Sequence, residues 1–277
     1  MSDNTVFSLT ITNGYVLRQL FDFYSKLATS RNTPIAMYLQ QESIVIRLGV
    51  KTDKYTIVSN VSIYPEDIEG YYINPELVSQ KGDDFCHLEI LEPSSDFFKM
   101  VGKHDKIKMY KVIEGDTSVM YIKSNDSIST VKQSPPVNVD DYRNFIESFD
   151  EEAEPNVKPP LKFFSDKFKS ISRDRNMSHV TLKVSSHTLK LVSIDNCNRE
   201  VKSSQWVSED KEYYPDDDEE EYTTNLIIQI AKAVKGLDNM SSNGIIKIYS
   251  DENEKLRFEH RLGEYGIHDF YFMNKKK

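Results

Sequence analysis

Cysteine is nearly absent: Cys86 and Cys197 are the two in 277 residues, far apart and in no motif. That leaves no C-x-x-C metal centre and no disulfide scaffold, and each is read as a lone buried thiol. H-E-x-x-H is missing, and six scattered histidines (His87, His104, His179, His187, His260, His268) read as strand or surface residues. Neither G-x-G-x-x-G nor G-x-x-x-x-G-K-[ST] occurs, so no nucleotide cradle is signalled. Gly102-Lys103-His104 reads as a turn. There is no G-x-S-x-G elbow, and the carboxylate pairs Asp83-Asp84 and Asp140-Asp141 fall in loops. No catalytic residue, metal site or cofactor is therefore expected. No apolar run nears the roughly 20 residues of a membrane span. The opening Met-Ser-Asp-Asn-Thr lacks the features of a signal peptide, so an intracellular protein without a membrane partner is expected. Positive charge is also short: the net charge of −9, if evenly spread, would argue against nucleic acid.

Aromatic residues, by contrast, are plentiful, with 16 Tyr and 14 Phe against 10 Gly and 10 Pro. This composition suits a folded, strand-rich chain. Its length allows two domains. Residues 134–160 form a polar bridge with proline pairs at both ends and Asp and Glu between, read as a connector with a helical turn near Asp140–Ser148. The domains are then 1–133 and 161–277. The acidic run Asp216–Glu221 reads as a solvated loop. Within the halves a strand, a short helix and alternating strands recur four times. The first helix follows Asn13, a candidate N-cap, and places Val16, Leu17, Leu20, Phe21, Tyr24 and Leu27 on one face. Further helices are predicted near Ser95–Lys103, Asp166–Arg175 and Gln229–Leu237, the third of them after a strand at Pro160–Phe164.

Those helices concentrate the basic residues. Arg18, Lys26, Lys99, Lys103, Lys167, Lys169, Arg173, Arg175, Lys232 and Lys235 stand against Asp22, Asp96, Asp166 and Asp174. The balance is +6 on the helices of a chain of −9, so the remainder carries −15. Such segregation gives one surface a positive potential that can hold a polyanion while the rest repels it.

The collinear series of elements resembles the sliding clamp family of proliferating cell nuclear antigen, PCNA. Phe7-Ser-Leu-Thr-Ile-Thr followed by Gly14-Tyr-Val-Leu-Arg-Gln-Leu is similar to the family's first strand and helix. Val61 to Tyr72 resembles its strand ending in an aromatic turn, and Phe97-Phe-Lys-Met-Val-Gly the helix after it. Asp116-Thr-Ser-Val-Met-Tyr-Ile resembles the strand closing the first domain, and Lys167-Phe-Lys-Ser-Ile-Ser-Arg-Asp the basic helix of the second. The C-terminal rhythm from Leu256 to Phe272, a strand, a Gly-containing turn and an aromatic strand, is the most specific match.

The resemblance implies an α+β DNA-clamp fold: two similar domains with sheets outside and two short helices each lining an inner face. It implies a homotrimeric ring that encircles double-stranded DNA without reading its sequence and tethers a polymerase and other replication and repair proteins. A clamp loader would be a further partner, and the nucleus or a viral replication site the setting. The divergence is similar to that of clamps of large DNA viruses. The ten helix cations would face DNA. Subunits would pair Asp116–Lys123 with Glu200–Val207, through Ser118, Met120, Ile122, Val201, Ser203 and Trp206. Partners would dock at Tyr55, Thr56, Val58, Ile146, Phe272 and Met273, although Met273-Asn274 replaces the family's Ala-Pro and the connector is longer and more acidic. The alternatives are a monomeric processivity factor of herpesvirus type, a clamp-fold adaptor of viral late transcription, or an enzyme of unrecognised class.

Overall fold

The computed structural model describes the chain except residues 1–3, 29–32, 41–42, 54, 65–67, 79, 82–83, 92–97, 99–100, 103, 126, 132–141, 172–176, 186, 198, 209–219, 224–243, 252–254, 263–265 and 275–277. Two compact units emerge. The first comprises Met1–Val50, Val58–Asp141 and Leu262–His268; the second comprises Lys51–Ile57, Tyr142–Arg261 and Asp269–Lys277. The connector thus joins the second unit from Tyr142 onward, and each unit borrows segments from distant parts of the chain.

Strands β1 (Thr5–Ile11), β2 (Ile35–Gln40), β3 (Ile44–Lys51), β4 (Tyr55–Ile63), β5 (Glu69–Ile73), β6 (Gln80–Lys81), β7 (Asp84–Leu91), β8 (Ile107–Glu114), β9 (Thr117–Ser124) and β10 (Ser127–Val131) precede the connector. One sheet of the first unit has the order β10-β9-β8-β1-β5; in another, β4, β3, β2, β7 and β6 are successive neighbours. Helix α1 (Gly14–Leu27) buries Val16, Leu17, Leu20, Phe21, Tyr24 and Leu27, each 3% exposed or less. This is the face its 3.6-residue spacing marks. Burying those six side chains contributes on the order of 1.5–3 kcal/mol each, which holds the helix where it lies. Asn13 makes no side-chain capping bond. The Gly14 amide instead donates to the Asp105 carbonyl at 2.8 Å, an approach that a side chain on Gly14 would block against Ile107.

A buried polar relay ties α1 to its sheet. The Tyr24 hydroxyl donates to the Ile46 carbonyl at 3.0 Å and lies 3.4 Å from Ser59 Oγ, which is 2.7 Å from His268 Nε2. Burial pushes the Tyr24 hydroxyl pKa well up, against the Ser59 bond and Arg47. Gly266 has φ +154°, and a Cβ there would stand 1.9 Å from the Ser62 carbonyl oxygen. Gly266→Ala is expected to cost about 2–3 kcal/mol through this clash and backbone strain. A denaturant midpoint equal to the parent's would contradict the close packing.

The second unit contains α2 (Arg143–Glu147), α3 (Leu161–Ile171), β11 (Met177–Val184), β12 (Thr188–Asp195), β13 (Glu200–Val207), β14 (Glu220–Thr223), β15 (Ile246–Asp251), β16 (Lys255–Arg261) and β17 (Gly266–Asn274), whose last residues belong here. One sheet runs β13-β12-β11-β14, and β15, β16 and β17 are neighbours in another. The strand expected at Pro160–Phe164 is helix from Leu161 onward, because proline is tolerated at a helix start where its missing N–H has no intrahelical partner. The Leu161 amide donates to the Gly244 carbonyl, and Phe164 packs on Phe258 with centroids 5.6 Å apart. Glu220 and Glu221, expected in a loop, pair in β14 with Val184 and Lys183. Cys197, expected buried, is exposed in the turn after β12.

Candidate nucleic-acid, partner and subunit surfaces

Of the ten expected basic residues, Arg18 and Lys167 have described side chains. Arg18 is half-buried: its Nη1 donates to the Val101 carbonyl at 2.7 Å, and its guanidinium stands 5.8 Å from the Tyr15 ring centre. Expected to face DNA, this cation instead joins α1 to the segment at Phe98–Val101, whose apolar ends are buried. On α3, Lys167 is exposed, with its ammonium 5.7 Å from the Phe163 ring centre. Lys162, also exposed, was missed because its stretch read as strand. Lys26 and Lys169 lie on described helices, but their side chains fall outside the described residues, as do Lys99, Lys103, Arg173, Arg175, Lys232 and Lys235 altogether.

A groove of about 560 Å³ runs between α3 and β13. Lys162, Lys167 and Lys202 line it with Phe163, and Asp166 is its one acid. Three cations to one carboxylate, with serine hydroxyls beside them, favour an anionic occupant. Lys202 comes from the far wall, which helix-by-helix charge counting could not reveal.

The connector surface has a different chemistry. Arg257 on β16 bonds Asp269 at 2.8 Å and Glu259 at 3.2 Å, and lies 4.8 Å and 5.6 Å from the ring centres of Tyr249 and Tyr271. Lys247 also pairs with Glu259. Although burial works to raise its pKa, the Lys247 and Tyr249 hydrogen bonds hold the Glu259 carboxyl below the usual range. The connector caps this network: Phe149 packs on Tyr271 with centroids 5.0 Å apart, and Lys255 lies over Phe149 and donates to the Ser148 carbonyl.

The expected docking residues divide accordingly. Phe272 and Val58 are 0% exposed, Thr56 is 4% and Ile146 is 8%, so these four have almost no surface to offer. Tyr55 and Met273 remain half-exposed. Tyr271, not Phe272, meets the connector, because successive side chains of a strand point to opposite faces.

Of the expected subunit strands, β9 is flanked by β8 on one side, and β10 pairs with its Met120–Ser124 part on the other, from Ser127↔Ser124 to Val131↔Met120. Met120 (0% exposed) and Ile122 (3%) are core residues, while Ser118 is exposed. β13 does end its sheet, with Val201 and Ser203 exposed and Trp206 half-buried.

Comparison with solved structures identifies the fold. The proliferating cell nuclear antigen of Entamoeba histolytica superposes with a TM-score of 0.67 at 10% identity, covering 98% of this chain and 100% of that one. The chain has the PCNA clamp fold. The A. fulgidus PCNA bound to the C-terminal region of FEN-1 matches with a TM-score of 0.67 at 11% identity, over 98% of this chain and 99% of that one. A chain of the PCNA2–PCNA3 complex of Sulfolobus tokodaii gives 0.63 at 14% identity, over 97% and 99%. No protein-family model and no curated protein sequence matches. The PCNA likeness therefore lies in the backbone.

Proposed function

We propose that this chain is a sliding clamp, a subunit of a ring that encircles duplex DNA and tethers a polymerase and other replication or repair proteins without chemistry of its own. The observation that carries the reading is the extent of the likeness: both units are matched, and the PCNA chains are covered from 99% to 100%. The basic groove supports it, since Lys162, Lys167 and Lys202 stand on one surface of a chain of −9. Phosphates attract such cations irrespective of base sequence. The FEN-1 peptide seen on the A. fulgidus PCNA supports a protein-docking role for the same fold. The working place would be the nucleus or a viral replication site.

A ring holds DNA by topology, and this gives the test. Protein assembled on closed circular plasmid should survive a high-salt wash that screens electrostatic contacts, and should be released when the plasmid is cut. Equal loss from circular and linear DNA in that wash would remove the clamp reading. Lys162→Glu with Lys167→Glu should slow association with both DNAs alike.

A further inference from the structure

One face of the sheet β10-β9-β8-β1-β5 belongs to the core of the first unit. On it Leu9, Met109 and Ile122 stand in register, each 3% exposed or less. Successive residues of a strand point to opposite faces, so the same register fixes what the other face carries. One row across it is Tyr72, Ser8, Tyr110 and Tyr121, on β5, β1, β8 and β9 in turn. The next row, roughly 7 Å along the strands, is Thr10, Lys108 and Lys123, with Glu69 opposite Thr10 past a bulge.

The three tyrosines are half-exposed and both lysines are exposed. Tyr110 and Tyr121 stack with centroids 5.2 Å apart and planes at 18°, and the Lys108 ammonium stands 5.5 Å from the Tyr110 ring centre. The Tyr121 hydroxyl donates to Glu114 at 2.7 Å, which holds the ring in place and raises its pKa. Glu69 is taken by Lys106 at 2.8 Å, which leaves no free carboxylate beside Lys108 and Lys123 in the two rows. A chain of −9 thus sets two cations next to a line of three aromatic rings.

That pairing of groups fits one chemistry. An unpaired base offers a planar π face to a tyrosine ring, and its phosphate offers a charge to a lysine one row away. A duplex keeps its bases stacked on one another and gains little from such rings. An acidic peptide would satisfy the lysines but bring no planar groups to the tyrosines. We propose that this face binds single-stranded nucleic acid, with bases stacked on Tyr72 and the Tyr110–Tyr121 pair and phosphates held by Lys108 and Lys123. The face lies in the first unit, whereas the groove between α3 and β13 lies in the second. The inference goes beyond the clamp reading and stands without it.

Fluorescence anisotropy with labelled oligo-dT, oligo-U and a duplex of equal length tests it. Tyr110→Ala should weaken both single strands by about tenfold or more, and Tyr110→Phe should not. Lys108→Gln with Lys123→Gln should flatten the slope of log affinity against log salt by about 1.4. Duplex binding, retention on circular DNA and the unfolding midpoint should not change. An oligonucleotide carrying 5-iodouracil should cross-link under light to Tyr72, Tyr110 or Tyr121. Affinities for oligo-dT and oligo-U should be similar, because stacking and phosphate contacts ignore the sugar; a preference for either upholds the site and names the strand it serves. Were Tyr110→Ala to fail to fold, the exposed lysine pair and the cross-links decide the matter. Unchanged single-strand binding in the lysine variant, or cross-links confined to α3 and β13, overturns the proposal. So does a wild type that binds no single strand while the lysine variant loses polymerase stimulation, which would give the face to a protein. None of these outcomes touches retention on circular DNA, on which the clamp reading is judged.

Discussion

Replacing Lys111 with methionine should lower the unfolding free energy by about 3–5 kcal/mol. Lys111 on β8 and Glu89 on β7 form an ion pair at 2.6 Å, with side chains 11% and 2% exposed. Attraction across a poorly solvated gap offsets the desolvation of both groups only while both are present. Removing the ammonium takes the Lys111 hydrogen bond from a buried carboxylate, whereas an exposed pair would lose under 1 kcal/mol. Lys111→Met with Glu89→Leu should recover most of the loss, since apolar side chains of similar volume remove the uncompensated charge. Urea unfolding of the two single variants and the double variant measures the coupling. Additive losses, with no recovery in the double variant, would mean that the pair does not act as a unit.

Acid should expose a second buried group. The His260 ring is 5% exposed, with Nδ1 3.1 Å from the Arg261 carbonyl oxygen. Burial pushes its pKa down from 6.5 to about 4, outweighing that hydrogen bond and the Glu259 charge. Between those values the unfolded chain holds a proton that the folded chain does not. Stability from His260 is therefore complete above pH 6.5 and declines as pH falls through 4, by up to about 3 kcal/mol. Asp269 works in the opposite sense. Burial, against the pull of Arg257, pushes its carboxyl up to about 6, so the folded state takes its proton first and gains stability as pH falls from 6 towards 3.8. The two partly cancel in the wild type. His260→Phe should remove one and leave the other, so its stability relative to wild type should improve by about 2–3 kcal/mol between pH 7 and pH 4.5. Parallel stability curves over that range would refute the assignment to His260.

What the sequence disclosed follows how strongly each element is patterned. The apolar face of α1 was legible because six residues at helical spacing leave one way to bury them, and all six are buried. β9 was legible as an alternating strand, whereas β13 came only from the resemblance to the clamp family. β10 was not, because Ser-Ile-Ser-Thr-Val carries little apolar signal and leads into the connector. Asn125-Asp126 before an alternating, β-branched stretch is the hairpin cue that could have found it. Phe272 and Tyr271 show a different limit: a strand was foreseen there, but shifting by one residue exchanges one of its faces for the other, and Tyr271 is the one under the connector. The charge count on the helices could not foresee that Arg18 would bond a backbone carbonyl, or that Lys202 would come to Lys162 and Lys167 from a strand.

The makeup of the first unit bears on how the chain is made. Its relay from Tyr24 through Ser59 ends at His268, 209 residues beyond Ser59, and Gly266 packs against Ser62. A nascent chain emerging from the ribosome can form α1 and its neighbouring strands early, but the Ser59 hydroxyl waits for an imidazole synthesised more than two hundred residues later. At about 5–20 residues per second, that wait lasts on the order of 10–40 seconds. During translation the amino-terminal half is thus held short of its final packing, and a gene divided at the connector would have to supply both pieces together for either to finish folding.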